Sequence, residues 1–346
     1  MISIIGMILP KKYCKYLQMK FLVTGAGGFI GGHLVDSFIK DGHDLVCADI
    51  KPLKYWFQTF KNAKNYEVDL KDYDSCLKVT KNVDFIYNMA CNMGGMGFIE
   101  NNKSECMLSV LINTNLLRAS LKNRCKKYLF SSSACVYNSS KQDTNFIKDL
   151  KEKDAYPASP EDGYGWEKLF SERMCRHFRE DYNLETRIVR YHNVYGPLGT
   201  YDGGREKVPA ALCRKIARAK INNEKYIEIW GDGEQTRSFM FIDDCIYGTK
   251  KIFNSNFREP INLGTNFQVS INQLCEIIEE IADYKVKKKY IADKPQGVRG
   301  RSSDNTLIKK EFNWEPNIKL VDGLKITYDW IFNQILNGGD GKFSRT

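Results

Sequence analysis

Proline is sparse, at nine of 346 residues, and glycine, at 26, is not in excess. That excludes collagen-like and low-complexity chains. No CxxC pair occurs among the eleven cysteines, and no Cys/His spacing builds a tetrahedral zinc site, so no metal is expected and a reducing cytoplasm is the simplest home. The apolar run at residues 1–9 is too short to cross a bilayer. Lys11, Lys12 and Lys15 follow that run, where a secretory signal carries its basic residues first. No membrane association is therefore expected. The net charge of +10 comes from basic residues interleaved with acids, which excludes a nucleic-acid face; Lys285 to Lys289, the one tight basic cluster, reads as a solvated helix exit. A mild bias toward anionic small molecules remains.

What the chain does have is enough apolar residue, 42%, to fill a core, with 27% charged residues to keep it soluble. Lys20 to Thr24 is a short buried-strand run that passes into Gly25-Ala-Gly-Gly28-Phe-Ile-Gly31 and then into a helical pattern at Leu34, Phe38 and Ile39. Later apolar runs at Leu45 to Ala48, Phe85 to Tyr87, Lys127 to Phe130 and Arg187 to Arg190 alternate with helix-length segments. This rhythm predicts a Rossmann-type α/β fold, a doubly wound parallel sheet with helices on both faces. From about Gly199 the rhythm changes to charged helices and short strands. The expected division is an extension over 1–18, a dinucleotide-binding domain over 19–198 to which later segments return, a smaller α/β substrate-binding lobe over 199–335, and a disordered tail over 336–346.

The glycine turn carries the first chemistry. Gly25 permits the tight turn, Gly28 lets the backbone approach a pyrophosphate, and Gly31 lets the helix pack on its strand, while the amides about Phe29 and Ile30 face the phosphates. Asp49 ends the second strand about 20 residues on, where a ribose-binding carboxylate belongs; it repels a 2′-phosphate, so NAD is expected rather than NADP. Asp69 is a candidate for the adenine side.

Tyr164 and Lys168 are four residues apart, one turn of a helix and the same face. At about 4 Å and an effective dielectric of about 20, a fixed positive charge stabilises a phenolate by about 4 kcal/mol, about 3 pKa units, which brings Tyr164 toward neutral pH as a general base. Upstream, Ser131, Ser133 and Cys135 share one side if the strand through Phe130 continues, at the carboxyl end of the sheet where ligands gather.

Taken in order, these features resemble the extended short-chain dehydrogenase/reductase family, over roughly residues 19–335. Ala90 to Ile99, Ser132 to Cys135, Gly203 to Lys207, Gln235 to Phe239 and Gly297 to Asp304 are similar to signature stretches of its GDP-mannose-epimerising branch, although Asn92 stands where Asp is usual and Asn138 where Pro is typical. The resemblance implies transient oxidation of the sugar at C4 with NAD, epimerisation at C3 and C5, and re-reduction. It assigns Tyr164, Lys168 and Ser133 to the redox step and an acid/base pair to Cys135 and Lys207. A thiol suits that task near its reference pKa of about 8.5, and a partly desolvated lysine falls toward the same range. A GDP-sugar would be held by Gly94, Ala134, Asn193, Glu206, Lys215, Gln235, Thr236, Arg237, Arg299 and Arg301, with arginine forks on the diphosphate. For Gly94, close passage of the chain by the sugar and a left-handed turn are equally good explanations. The absence of a carboxylate at Ala134-Cys135 argues against water elimination. A C4-epimerase or 4-dehydrogenase of another GDP-hexose or GDP-heptose remains open, as does a non-catalytic NAD sensor, and a homodimer is expected by resemblance.

Overall fold

The computed structural model describes residues 19–339. The expected N-terminal extension, residues 1–18, lies outside them, as does the end of the tail. Its start does not: Leu336 closes the final helix, and the Gly339 amide donates to the Gln334 carbonyl, so residues 336–339 are ordered by continued helical bonding.

The first half runs β1 (Lys20–Thr24), α1 (Phe29–Lys40), β2 (Asp44–Asp49), β3 (Lys64–Glu67), α2 (Tyr73–Val79), β4 (Phe85–Asn88), α3 (Met96–Asn101), α4 (Lys103–Met107), α5 (Ser109–Lys122), β5 (Lys127–Ser133), α6 (Tyr164–Tyr182) and β6 (Glu185–Tyr191). The second half runs β7 (Val194–Tyr195), α7 (Val208–Asn222), β8 (Tyr226–Trp230), β9 (Thr236–Ser238), β10 (Met240–Phe241), α8 (Ile242–Asn254), β11 (Ile261–Leu263), β12 (Gln268–Ser270), α9 (Ile271–Ala282), β13 (Lys287–Ile291), β14 (Gly300–Arg301), α10 (Thr306–Phe312) and α11 (Leu320–Leu336).

Seven strands form one parallel sheet in the order β11-β6-β5-β4-β1-β2-β3. Its strands are apolar on both sides because helices cover both faces. Leu22, Val46, Ile86, Phe130 and Ile188 meet Val79, Leu116 and Cys175 on one face; Phe21, Val23, Cys47, Tyr87 and Val189 meet Leu34, Phe38 and Phe253 on the other. The order reverses between β1 and β4, and the crevice at that reversal is where such sheets bind ligands.

Residues 242–263 return to this sheet: α8 packs on α1, and β11 pairs with β6. In the remainder, α7, α9 and α11 pack together, β8 pairs with β13, and β12-β9-β14 form a small sheet. Lys287 to Lys289 lie on β13 rather than at a helix exit, since α9 stops at Ala282 and the chain re-enters as an edge strand. Lysines suit such an edge because they discourage pairing with another chain. Among the described residues no helix is long and apolar enough to cross a membrane.

Helix α6 is anchored by a buried ion pair. Arg190 of β6 donates from Nε and Nη2 to the Glu172 carboxylate at 2.8 and 2.7 Å, and Ser132 adds a hydroxyl at 2.5 Å. Removing one member strands the other charge without water. Glu172→Gln should lower the unfolding free energy by about 3–5 kcal/mol in urea titrations, and a loss below about 1 kcal/mol would contradict this anchoring.

Candidate active site

The glycine loop has the form of a dinucleotide cradle. Gly25 has φ +64°, and a Cβ there would lie 2.8 Å from the Met89 backbone; a Cβ on Gly31 would strike the Gly25 carbonyl. Helix α1 starts at Gly28 with no side-chain cap and no acidic residue in its first turn, which leaves its amides and positive dipole end for an anion. The Phe29 ring turns away toward Gly196 and Gly199, so its contribution here is its backbone. Asp49 accepts from the Gly27 and Lys51 amides, each at 2.9 Å, and burial raises its pKa. These residues fit a dinucleotide with a free ribose diol. Asp69 follows β3, half-exposed, and caps its own turn through the Lys71 amide at 2.9 Å.

At the carboxyl end of β5 the strand stops at Ser133, whose hydroxyl accepts from the Cys135 amide at 3.2 Å. Ala134 to Val136 form a 3-10 turn, so Cys135 is not one more strand residue, contrary to the period-two expectation; the serine cap wins over strand continuation. The start of α6 is pinned to this turn. The Glu161 amide donates to the Cys135 carbonyl at 3.1 Å, and a Cβ on Gly165 would strike that same carbonyl.

Tyr164 and Lys168 do share a face, with Lys168 Nζ 5.5 Å from the centre of the Tyr164 ring and 4.8 Å from that of Phe130. The expected fall in the Tyr164 pKa does not occur. Burial, reinforced by Cys91, Cys135 and Glu167, pushes the phenol well above its ordinary range. Lys168 spends its charge on Glu167 at 3.4 Å; burial alone would depress the ammonium, and Cys91 and Glu167 outweigh it to hold it above its usual range.

Across the crevice lies the segment leading into α7. Gly95 donates to the Arg205 carbonyl at 3.0 Å, and a Cβ on it would sit 2.5 Å from the Glu206 carbonyl. Gly94 has no left-handed φ; a Cβ there would meet Phe98 at 2.8 Å and Arg205 at 3.2 Å. The glycine pair thus lets the Met93–Met96 loop close directly onto Arg205 to Lys207, and Arg205 fastens it by donating to Asn92 Oδ1 at 2.9 Å while stacking on Phe98. Lys207 caps α7, and burial lowers its pKa. It stands close enough to Cys135 for each to feel the other's charge. Glu206 is a brace, bound to Arg214 at 2.8 Å and to the Gly204 amide at 2.7 Å.

The basic groups expected at a diphosphate divide in two. Parallel pairing of β14 with β9 sets Arg301 beside Arg237. Both are buried, and burial plus Arg301 bring Arg237 down to about 10. Arg237 donates to the Thr236 and Gln296 carbonyls. Arg299 instead faces Asp232, with both Nη atoms at 3.1 Å from the carboxylate, and Lys215 donates to the Glu228 carbonyl at 2.6 Å. Asn193 donates to the Ser238 carbonyl at 3.1 Å, Gln235 to the Trp230 carbonyl, and the fully buried Thr236 hydroxyl to that of Asn145.

Sequence reasoning missed Glu161. Arg301 binds it at 2.9 Å and also donates to Cys135 Sγ at 3.4 Å and Gln142 Oε1 at 2.8 Å. Burial, with Glu161 adding to it and Arg301 opposing, pushes the Cys135 thiol up to about 11, so the near-neutral thiol expected from its reference value is not what the fold provides. Glu161 also lines a cavity of about 710 Å³ between α3, α4 and residues 292–299.

Comparison with known proteins agrees with this architecture. The model of the NAD dependent epimerase/dehydratase family matches residues 21–264. The chain is 45% identical over 327 residues to GDP-mannose 3,5-epimerase 1 of Oryza sativa subsp. indica, and 44% identical over 326 residues to GDP-mannose 3,5-epimerase of Arabidopsis thaliana; each alignment covers 94% of this chain and 85% of the relative. Among solved structures, UDP-glucose 4-epimerase of Thermotoga maritima with UDP-glucose superposes at a TM-score of 0.82 with 26% identity, covering 92% of this chain and 100% of that one. A glycine cradle at the sheet reversal, a Tyr/Lys helix beside it and a match running through both place this chain in the NAD-dependent epimerase/dehydratase family.

Proposed function

We propose that the protein is a GDP-mannose 3,5-epimerase, converting GDP-α-D-mannose to GDP-L-galactose and GDP-L-gulose. The relatives at 44–45% identity support this substrate and reaction. The observation that carries it within the site is the pairing of the Cys135 thiol and the Lys207 amine in one desolvated chamber beside Tyr164.

NAD, held by the Gly25–Gly31 turn and Asp49, supplies hydride acceptance from the sugar C4 and its later return. Tyr164 takes the proton of the C4 hydroxyl, with Ser133 as its hydrogen-bonding partner and Lys168 holding positive charge beneath it. Once C4 is a ketone, the hydrogens on C3 and C5 become acidic, because the electron pair left behind delocalises into an enolate. Cys135 and Lys207 then form the pair that removes a proton from one face and delivers one to the other. Arg237 and Arg301 bring two desolvated positive charges to the chamber for the diphosphate, while Asn193, Lys215, Gln235 and Arg299 would have to exchange their carbonyl and Asp232 contacts for the nucleotide. An epimerase acting only at C4 has no use for the thiol and amine, and this favours the 3,5 reaction over that alternative.

The ten cysteines recorded among the described residues are all free, which supports a reducing, cytoplasmic setting. Met107 and Leu111 at the start of α5, with Trp166 and Phe170 one turn apart on α6, are exposed apolar side chains that support a homodimer through this face of the large sheet.

Incubation with GDP-mannose in deuterated water should place label at both C3 and C5, read by mass spectrometry and NMR; unlabelled carbons after turnover would contradict the proposal. Cys135→Ala and Lys207→Ala should each cut epimerisation by at least about a hundredfold while reduced nicotinamide still forms, whereas Tyr164→Phe should lose both. The double variant Trp166→Glu and Phe170→Glu should run as a monomer in light scattering where the unmodified protein runs as a dimer, and a monomeric unmodified protein would refute the interface.

A further inference from the structure

The functional reading leaves open which of Cys135 and Lys207 gives a proton and which takes it. Glu161 bears on that choice. Its carboxylate is within hydrogen-bonding reach of the Cys135 thiol, and both are bound by the same guanidinium, Arg301 at 2.9 Å from Glu161 and 3.4 Å from Cys135 Sγ. The charged and titratable groups facing Cys135 are Glu161, Arg301, Lys207, Arg237 and Tyr164; those facing Lys207 are Cys135, Cys91, Cys245 and Arg301.

A thiolate next to a carboxylate is a like-charge pair in a dry site, and one guanidinium balances only one of them. Two such groups share a single proton. Arg301 outweighs burial and holds Glu161 below the usual carboxylate range, so the proton resides on sulfur and the thiol donates its hydrogen bond to Glu161. On the other side of the chamber, burial favours Lys207 as a neutral amine.

We propose that Glu161 is a positioning residue that keeps Cys135 as a thiol and so makes Cys135 the proton donor and Lys207 the proton acceptor of the epimerisation. This rests on the functional reading above. Lys207 removes the C–H proton and becomes an ammonium, and the C–H electron pair enters the enolate. The enolate carbon then takes the Cys135 proton on its opposite face, leaving a thiolate. That thiolate, repelled by Glu161, recovers a proton from water in the cavity that Glu161 lines, and Lys207 releases one, so the pair is ready for the second carbon.

The direction of a pH shift tests the assignment. With Cys135 as donor, activity is lost at high pH as the thiol ionises and at low pH as Lys207 is protonated. Removing the carboxylate eases ionisation of the thiol. Glu161→Gln should therefore move the alkaline limb of the kcat profile at least about one pH unit downward and leave the acid limb in place, while Glu161→Asp should keep the original profile. If Cys135 were the acceptor, Glu161→Gln would instead move the acid limb downward and raise activity near neutral pH, which would overturn the proposal. A readout without turnover is alkylation of the Cys135 peptide by iodoacetamide, followed by mass spectrometry of the NAD-loaded protein. Cys135 should be unreactive near neutral pH, with its midpoint falling in Glu161→Gln, and rapid neutral labelling of the unmodified protein or an unmoved midpoint would overturn the proposal. Absence of deuterium incorporation by the unmodified protein would overturn the functional reading and this assignment with it; an alkylation profile indifferent to Glu161 with labelling intact would overturn the assignment alone.

Discussion

One nearly water-free guanidinium joins the parts of this molecule that chemistry requires to meet. Arg301 arrives on β14 from the far end of the chain and binds Gln142, Glu161 and the Cys135 thiol, which follow β5 and precede α6. A charge buried to this extent is tolerated only with its partners present. The requirement for those partners fixes the carboxyl end of the large sheet against the strands of the second half. Backbone bonds repeat the connection, since the Arg299 and Gly300 amides both donate to the Gln142 carbonyl.

Around this contact the fold sets chemically distinct groups at different depths. The glycine turn and Asp49 stand at one side of the sheet reversal, Tyr164 and Lys168 on a helix beside it, and Lys207 on a segment locked by the Met93–Met96 loop. Desolvation acts on all of them but with opposite consequences. It raises the Tyr164 phenol and the Cys135 thiol and lowers the Lys207 amine, so the resting chamber favours neutral groups. Proton transfer between neutral partners suits an enzyme that makes and consumes an enolate without leaving a charge stranded in the interior.

Much of this was legible in the sequence because it rests on local pattern. The strand-turn-helix at Lys20 to Lys40, Asp49 at a strand end and the Tyr164/Lys168 spacing are properties of a few consecutive residues, and the parallel sheet follows from the alternation of apolar runs. What escaped depends on contacts between distant residues. Glu161 sits in a Pro-Glu-Asp-Gly loop with no periodicity, and only the pairing with Arg301, 140 residues away, gives it meaning. The phenol's pKa was misjudged for a related reason: one turn of helix was visible, but the neighbouring Glu167, which takes up the lysine charge, and the burial of the ring were not. Likewise the serine cap on Cys135 ended a strand that alternation alone would have continued.

The central claim is that one sugar ring fits between the thiol of Cys135 and the amine of Lys207, next to Tyr164. A crystal structure with NAD and GDP-mannose bound tests it most directly. It should show Cys135 Sγ and Lys207 Nζ on opposite faces of the ring, within proton-transfer reach of C3 or C5, and the C4 hydroxyl on Tyr164. Both groups on the same face, or a ring bound beyond the reach of either, would contradict the account.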